Sequence, residues 1–410
     1  MKPFPPAFQV PFHPRALALT GMALVFSLPY RATLLISPPW LAYLCLTLIL
    51  FGLVPVFLFC PTYAKRDPVP EQRLSFLWFL LPLIAAGWVR FHWIRLHPVE
   101  PELGDMLPLI SLAGQNFLAG NFPYTEYQVP WPLPLTFFPL LWMSYLPAIL
   151  LGIDLRWTGW IATLGVLALL IRHRPRAPLP FLAFALLPVF TFFTVNGHTQ
   201  PYWLVLCLHL YFLARGKPWL SALFLGLTLS SRQTALIIVP FTGLAWYRTH
   251  GLKPAMLSMC IAGGVTAAFC LPFFLLDPDA FLLEPLRHYG ELAQSYSQAY
   301  SQAHAEGAAA SARLLETLGF ANLFYVLGAP HLLSPLRILV FLLGLSGCIV
   351  FARTPKDHIA WISATGITFT FFTPIPWIYA YFPFWLAGLF AIPGHDDTSP
   401  RDDLPAPSLP

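Results

Sequence analysis

Few residues of this chain are charged, and a handful of them stand where apolar sequence makes them conspicuous. Asp105 opens the stretch "GDMLPLISLAGQNFLAGNFPYTEY" (104–127), shortly after a long apolar run. Leu109, Leu112, Ala113 and Phe117 follow at helical spacing, which predicts an amphipathic helix lying along a membrane with Asp105 at its N-terminal end. Two roles fit that position. The carboxylate can cap the helix by accepting hydrogen bonds from first-turn amides. At a lipid boundary it can also act as a general base, its proton affinity tuned by partial burial.

Arg232 lies in "LTLSSRQTALIIVPF" (227–241), an otherwise mostly apolar region. An unpaired guanidinium there costs several kcal/mol, so it requires a partner. An outer acid such as Asp105 would serve, and so would a phosphate, which guanidinium grips with two parallel hydrogen bonds. His198, with Asn196 and Gln200, occupies the short turn "TVNGHTQPYW" (194–203), where lipid-facing residues would be apolar. It reads either as a hydrogen-bonded structural histidine or as a ligand contact.

Other candidates are less conspicuous. The "GNFPY" turn (120–124) ends the first helix and can place Tyr124, Glu126 and Tyr127 over a site. The stretch "EPLRHYGELAQSYSQAYSQAHAEGAAASARL" (284–314) sets Tyr296, Tyr300 and His304 on one helix face, with Arg287, His288 and Tyr289 before them as donors to an anion. Arg90 and Arg95 fall near the outer end of a span, where snorkelling to headgroups and catalysis explain them equally. The acid-x-acid triplet Asp277-Pro278-Asp279 occurs in nucleotide-sugar enzymes, but three residues carry little weight.

These residues need a scaffold, and composition defines it. Hydrophobic residues make up 57% of the 410 and charged residues 10%, and mean hydropathy is +0.65. Soluble domains carry roughly 25% charged residues, so the expectation is an all-α polytopic membrane protein. About twelve spans are predicted, over 16–35, 39–60, 74–96, 157–171, 178–195, 201–214, 218–230, 233–247, 255–276, 335–352, 357–372 and 376–392. The first reads as an uncleaved helix, because no small-residue cleavage site follows it. Counted from a cytoplasmic N-terminus, these spans put the basic clusters 65–73, 172–176, 215–217, 248–253 and 353–356 on the inner side. The apolar stretch 130–152 would break that count as a crossing, so it is expected to lie at the outer face as an interfacial or re-entrant helix.

Two acidic segments, about 97–155 and 277–334, are then the large outer loops, each with an amphipathic helix. Residues 1–392 form a single integral-membrane domain, and 393–410 a disordered cytoplasmic tail. The net charge of +5 reports on loop topology, and no nucleic-acid partner is implied. Six cysteines without a CxxC pattern suggest packing rather than disulfides or a thiolate metal site. Phosphate-loop, dinucleotide, zinc-protease and nucleophile-elbow motifs are missing.

Taken in order, several pieces resemble the GT-C superfamily of membrane glycosyltransferases. These are Gly104-Asp105 after an early span, "AGNFPY", the Pro-rich "VPWPLPLTFFP", and "NGHTQPYWLVLCLHLYFLARGKPWLSALFLGLTLSSRQTALIIVPF". The likeness runs over roughly residues 85–290 and is closest to the bacterial polyprenyl-phosphate-mannose-dependent enzymes of glycosyltransferase family 87. It implies a GT-C-like fold in a bacterial plasma membrane, with the active site on the outer, periplasmic side. It also implies transfer of a hexose, mannose in the family, from a polyprenyl-phosphate donor to a lipid or glycan acceptor with inversion. Asp105 matches the family's catalytic acid. Arg232 together with His198, joined by Arg287 or His288, would hold the donor phosphate, and Gln200, Tyr124 and Glu126 would line the substrate site. No cofactor is demanded, and a divalent metal bridging acids and phosphate is compatible with the outer acids. This sequence departs from the family by separating Gly197 from Gln200, by placing Arg232 where Lys is common, and by offering "YSQAYSQA" for Asn-Gln-Ser in the late loop.

Two other classes fit the same residues. A transporter or flippase for a lipid-linked or anionic substrate would also explain an intramembrane Arg and broken helices. A non-catalytic subunit of an envelope-assembly complex would tolerate substitution of Asp105.

Overall fold

The computed structural model describes residues 14–27, 39–59, 76–99, 104–173, 195–306, 321, 324–325, 328–374 and 378–392. Among these the chain is all-α apart from one short hairpin. Helices α1 (Pro14–Ser27), α2 (Pro39–Phe59) and α3 (Phe76–Leu96) lead to α4 (Met106–Leu118). The hairpin β1 (Glu126–Val129) and β2 (Trp131–Pro134) follows, then α5 (Pro139–Met143), α6 (Leu146–Leu151) and α7 (Arg156–His173). After the turn come α8 (Gln200–Ala214), α9 (Pro218–Leu229), a 3-10 turn (Gln233–Ile238), α10 (Val239–His250) and α11 (Leu252–Leu276). The rest is α12 (Glu284–Glu306), α13 (Leu333–Phe351), α14 (Pro355–Phe371) and α15 (Phe382–Leu389).

Two of the described helices, Leu252–Leu276 and Pro330–Phe351, are long and apolar enough to cross a membrane. Shorter apolar helices accompany them. The expected span 233–247 is split, since a 3-10 turn precedes α10 and Pro240 sits in that helix's first turn. The expected span 376–392 is a 3-10 turn followed by an eight-residue helix buried along its whole length. The segment 178–194, the basic cluster 65–73 and the tail lie outside the described residues, as do Cys60 and the side chains of Tyr296, Tyr300 and His304.

Residues 130–152 form no single helix long enough to cross a membrane. Beyond β2 they make two helices of 5 and 6 residues, together far shorter than the roughly 30 Å of a hydrocarbon core at 1.5 Å per residue. Prolines at the first turns of both helices and Gly152 at the end of α6 interrupt any longer helix.

Contacts at the helix ends sort the charges. Arg15, at the start of α1, donates to Ala391 O (3.2 Å) beyond α15 and reaches Asp357 (3.6 Å) at the start of α14. His173, at the end of α7, bonds Phe390 O (3.1 Å), while Arg172 donates to Tyr211 Oη (3.2 Å) near the end of α8. Arg248, closing α10, donates to Cys348 O, Ile349 O and Ala352 O at the end of α13. Orphan C-terminal carbonyls and the negative helix end make these cations natural terminators. One end of the bundle therefore gathers Arg15, Arg172, His173, Arg248 and Asp357, with Arg215, Lys217 and Arg353 in the adjoining turns and Lys253 and Lys356 in the first turns of α11 and α14. The opposite end carries α4, the hairpin, the 195–199 turn, Arg232 and the start of α12.

Close helix approach fixes the frame between these ends. A Cβ on Gly226 of α9 would come 2.6 Å from Ala262 O of α11, and Thr266 Oγ1 donates across the same contact to Gly226 O (3.3 Å). Asp154 and Arg156 tie α7 to α3: Arg156 pairs with Asp154 (2.6 Å) and donates to His97 O (2.8 Å) and Ile94 O (3.2 Å).

Candidate functional site

Asp105 stands at the N-cap position of α4 but makes no side-chain capping bond. The cause is local. Its φ of −69° and ψ of −21° are helical rather than extended, and the third helical residue is Pro108, which has no N–H to donate. The capping role therefore falls away, and the carboxylate is left half-buried. Burial pushes its pKa above the ordinary aspartate value. The amides of Asp105 and Met106, the Trp131 bond and the positive field of His288 act in the opposite direction.

The helix carrying Asp105 is seated by Leu107, Leu109, Ile110 and Ala113, all buried, and by Phe117 against Trp142 at 5.2 Å. The expected stripe is partly displaced, because Leu112 points outward and is exposed while Leu109 and Ala113 face the core. Gly120, with φ of +82°, ends this segment in the left-handed region that favours glycine.

Gly104 brings Asp105 to the 195–199 turn. A Cβ on Gly104 would lie 3.3 Å from Asn196 O, so the two chain segments touch backbone to backbone. Asn196 is held by Trp93, whose indole donates to Oδ1 (3.3 Å). Two residues on, the His198 carbonyl accepts from Tyr145 Oη (2.9 Å), and its ring lies 4.5 Å from the buried Phe137 ring. Burial, together with the charge of Arg232, drives the His198 pKa well below the ordinary value, so the imidazole is neutral at physiological pH.

Arg232 shares Phe137, with its guanidinium carbon 5.7 Å from the ring centroid. It leads into the 3-10 turn in an extended conformation, φ −151° and ψ 138°. That turn is tied to the 136–140 segment by Gln233 Nε2 donating to Thr136 O (3.0 Å) and Leu140 N to Ser230 O (3.0 Å). Among the described residues no carboxylate forms an ion pair with Arg232. The acid partner considered for it in the sequence is therefore not Asp105.

The fold thus brings Asp105, His198, Arg232 and His288 to one end, the first three through Asn196 and Phe137. Other candidates land elsewhere. Tyr124 is a buried pillar whose hydroxyl donates to Phe137 O (2.9 Å) and accepts from Trp142 Nε1 (3.2 Å). Glu126 is exposed on the outer face of the hairpin. Arg287 is exposed and paired to Glu284 at 3.2 Å. Gln200 is wholly buried, with its amide oxygen against Gly159, where a Cβ would stand 3.1 Å away. Asp277 accepts from Ala280 N (3.0 Å), which makes the acid-x-acid triplet a local turn. Arg95 is exposed, but Arg90 is not a snorkelling residue: it is 2% exposed and stacks on Trp160 at 5.1 Å.

Sequence reasoning passed over Phe137, Trp131 and Tyr145. Thirty-six phenylalanines occur in the chain, and nothing local marks Phe137 among them. Trp131 carried a usable signal, an indole in a Pro-flanked turn beside the acidic loop. Among the described residues no three His, Cys, Asp or Glu side chains cluster in a way that could hold a metal ion. The chain matches none of the protein families with which it was compared, and none of the curated proteins or solved structures.

Proposed function

We propose that this protein is a membrane glycosyltransferase that moves a hexose, mannose by resemblance, from a polyprenyl-phosphate donor to a lipid or glycan acceptor. One observation carries the reading. Arg232 is half-buried, stacked on Phe137 and without a carboxylate partner among the described residues, which suits an anionic group arriving from outside the chain. Asp105, uncapped and with a raised pKa, is a suitable base on the same end.

In the reaction Asp105 takes the proton of the acceptor hydroxyl as its oxygen attacks the anomeric carbon. The bond from that carbon to the phosphate oxygen breaks with its electron pair, and Arg232 stabilises the departing phosphate. A single displacement inverts the anomeric centre, so one carboxylate suffices. The neutral His198 offers a hydrogen bond without competing for the charge. With the basic end cytoplasmic, the site opens on the outer face of a bacterial plasma membrane.

The test is to incubate purified protein in sugar-free nanodiscs with polyprenyl-phosphate mannose and a panel of lipid and glycan acceptors. Product formation that is lost in Asp105→Asn supports transfer. If no acceptor consumes donor while vesicles holding the protein move the intact lipid across the bilayer, the flippase reading replaces this one.

A further inference from the structure

Arg337 carries a charge that the transfer chemistry above does not use. It stands in the second turn of α13, within Pro330–Phe351, one of the two described helices long and apolar enough to cross a membrane. Arg248 binds the far end of α13 at Cys348, Ile349 and Ala352, so Arg337 lies toward the end that carries Arg232. Its face of the helix is the inward one. Leu333, Gly344 and Cys348 are the buried residues of α13 and share that face by helical spacing. A Cβ on Gly344 would meet Thr365 of α14, and Cys348 Sγ lies 3.4 Å from His358 Nδ1 of the same helix. Ile338, Leu339, Leu342 and Leu343, on the other faces, are exposed. The Arg337 guanidinium carbon lies 4.3 Å from the centre of the Phe369 ring of α14. The charge is thus turned onto α14 instead of reaching outward as a snorkelling residue does.

Among the described residues no group of opposite charge answers it. Its Nε is buried without a hydrogen-bond partner, and the side chain forms no ion pair. Asp357 is the only acid among the described residues from 321 to 392. It opens α14 at the basic end, roughly 18 Å of helix from Phe369 at 1.5 Å per residue. A cation at membrane depth costs several kcal/mol, and those that face a bundle interior mark a ligand or ion path. Arg232 on Phe137 repeats the arrangement, and the two arginines stand on elements in contact. The 3-10 turn after Arg232 packs against α14, and Phe341, one turn beyond Arg337, meets Phe241 at 6.1 Å.

We propose that Arg337, backed by Phe369, binds the phosphate of a phospholipid at the α13–α14 seam, in a site separate from that of Arg232. Depth selects the ligand. Arg337 lies about 6 Å along the helix from Leu333, a level at which the abundant anions of a membrane are lipid phosphates. A guanidinium stacked on a ring keeps its outer N–H groups for two parallel bonds to such a group. The exposed Ile338, Leu339 and Leu342 beside it offer apolar contact to the acyl chains. This inference rests on α13 crossing a membrane, and not on Asp105 or on sugar transfer.

Native mass spectrometry tests it on full-length protein exchanged into an uncharged detergent. The probes are dihexanoylphosphatidylglycerol, geranyl phosphate, and dihexanoylglycerol, which lacks the phosphate. Wild type is expected to bind the phospholipid, and Arg337→Gln to bind it roughly 10- to 100-fold more weakly, as for loss of one charge-assisted contact. Arg232→Ala should bind it as wild type does. Without lipid, Arg337→Gln should melt at or above the wild-type temperature, because a charge held at a cost is gone; that curve also reports folding. Arg337→Lys, with the charge but not the fork, should recover part of the affinity, and it serves as the variant if the glutamine protein does not fold. Phospholipid binding that Arg337→Gln keeps, or that dihexanoylglycerol matches, overturns the site. Geranyl phosphate bound through both arginines, with no phospholipid bound, would make Arg337 part of the donor site and overturn a separate one. Phospholipid bound through Arg337 while no acceptor consumes donor would keep this site and remove only the transfer reading.

Discussion

Arg232 places its guanidinium carbon 5.7 Å from the centre of the Phe137 ring, and the same ring meets His198, 4.5 Å between centroids. One buried aromatic thus orients both a fixed cation and a neutral donor. An arginine spread over a ring keeps its outer N–H groups for a ligand, and a planar fork suits phosphate better than an ammonium does.

Substituting Arg232 is expected to act on the donor. Arg232→Ala should raise the KM for polyprenyl-phosphate sugar roughly 10- to 100-fold, the equivalent of losing a charge-assisted contact of about 1.5–3 kcal/mol. Arg232→Lys should recover only part of this, since charge returns without the fork. Steady-state kinetics with varied donor would show it, and an unchanged donor KM would remove Arg232 from the phosphate site.

Asp105→Asn should cost about 10²- to 10⁴-fold in kcat, the usual worth of a general base. It should leave thermal stability unchanged or slightly raised. No capping bond is lost, and a carboxylate whose burial raises its pKa is a charge the fold holds at a cost. A melting curve beside the rate measurement separates these outcomes from misfolding.

The raised Asp105 pKa has a definite sign in a pH series. Activity needs the ionised form, so the rate falls as pH drops through the folded pKa, which lies above the ordinary value of about 3.9. Stability moves the other way: protonation at low pH removes the burial penalty, so this residue favours the fold most in acid. Asp105 is faced by Trp131, His288 and the Asp105 and Met106 amides. His288→Ala should therefore move the acid limb of kcat/KM upward. A limb at or below the ordinary aspartate range in wild type would count against a buried base.

Arg156→Ala should destabilise the protein without a direct effect on chemistry. The guanidinium is buried and answers Asp154 and the carbonyls of Ile94 and His97. Its removal leaves a charge and two helix-end carbonyls unsatisfied, for a loss toward the lower end of about 3–5 kcal/mol. Thermal or denaturant unfolding in detergent would register the change.

Gly226→Ala tests the helix frame. Its methyl would meet Ala262 O at 2.6 Å and Val265 at a similar distance, forcing α9 from α11 at a cost of about 1–3 kcal/mol. A melting temperature equal to wild type would contradict that close approach.

Much of the scaffold was legible in the sequence, because hydropathy and charge are local properties. Apolar runs marked α2, α3, α7, α8, α9, α11, α13 and α14 with ends close to those observed, and loop charges separated a basic end from the end bearing Asp105. Even part of the failed cap was written there, since Pro108 removes one of the two amides a capping carboxylate accepts from. What no local pattern could decide was proximity. That Gly104 touches Asn196, that Phe137 meets both His198 and Arg232, and that Tyr124 is a pillar all depend on segments separated by tens of residues meeting in one packed arrangement. Tyr124 and Trp131 have similar surroundings in the sequence, yet packing buries the first and leaves the second half open, because only the side chains of distant helices determine which face of a turn is covered.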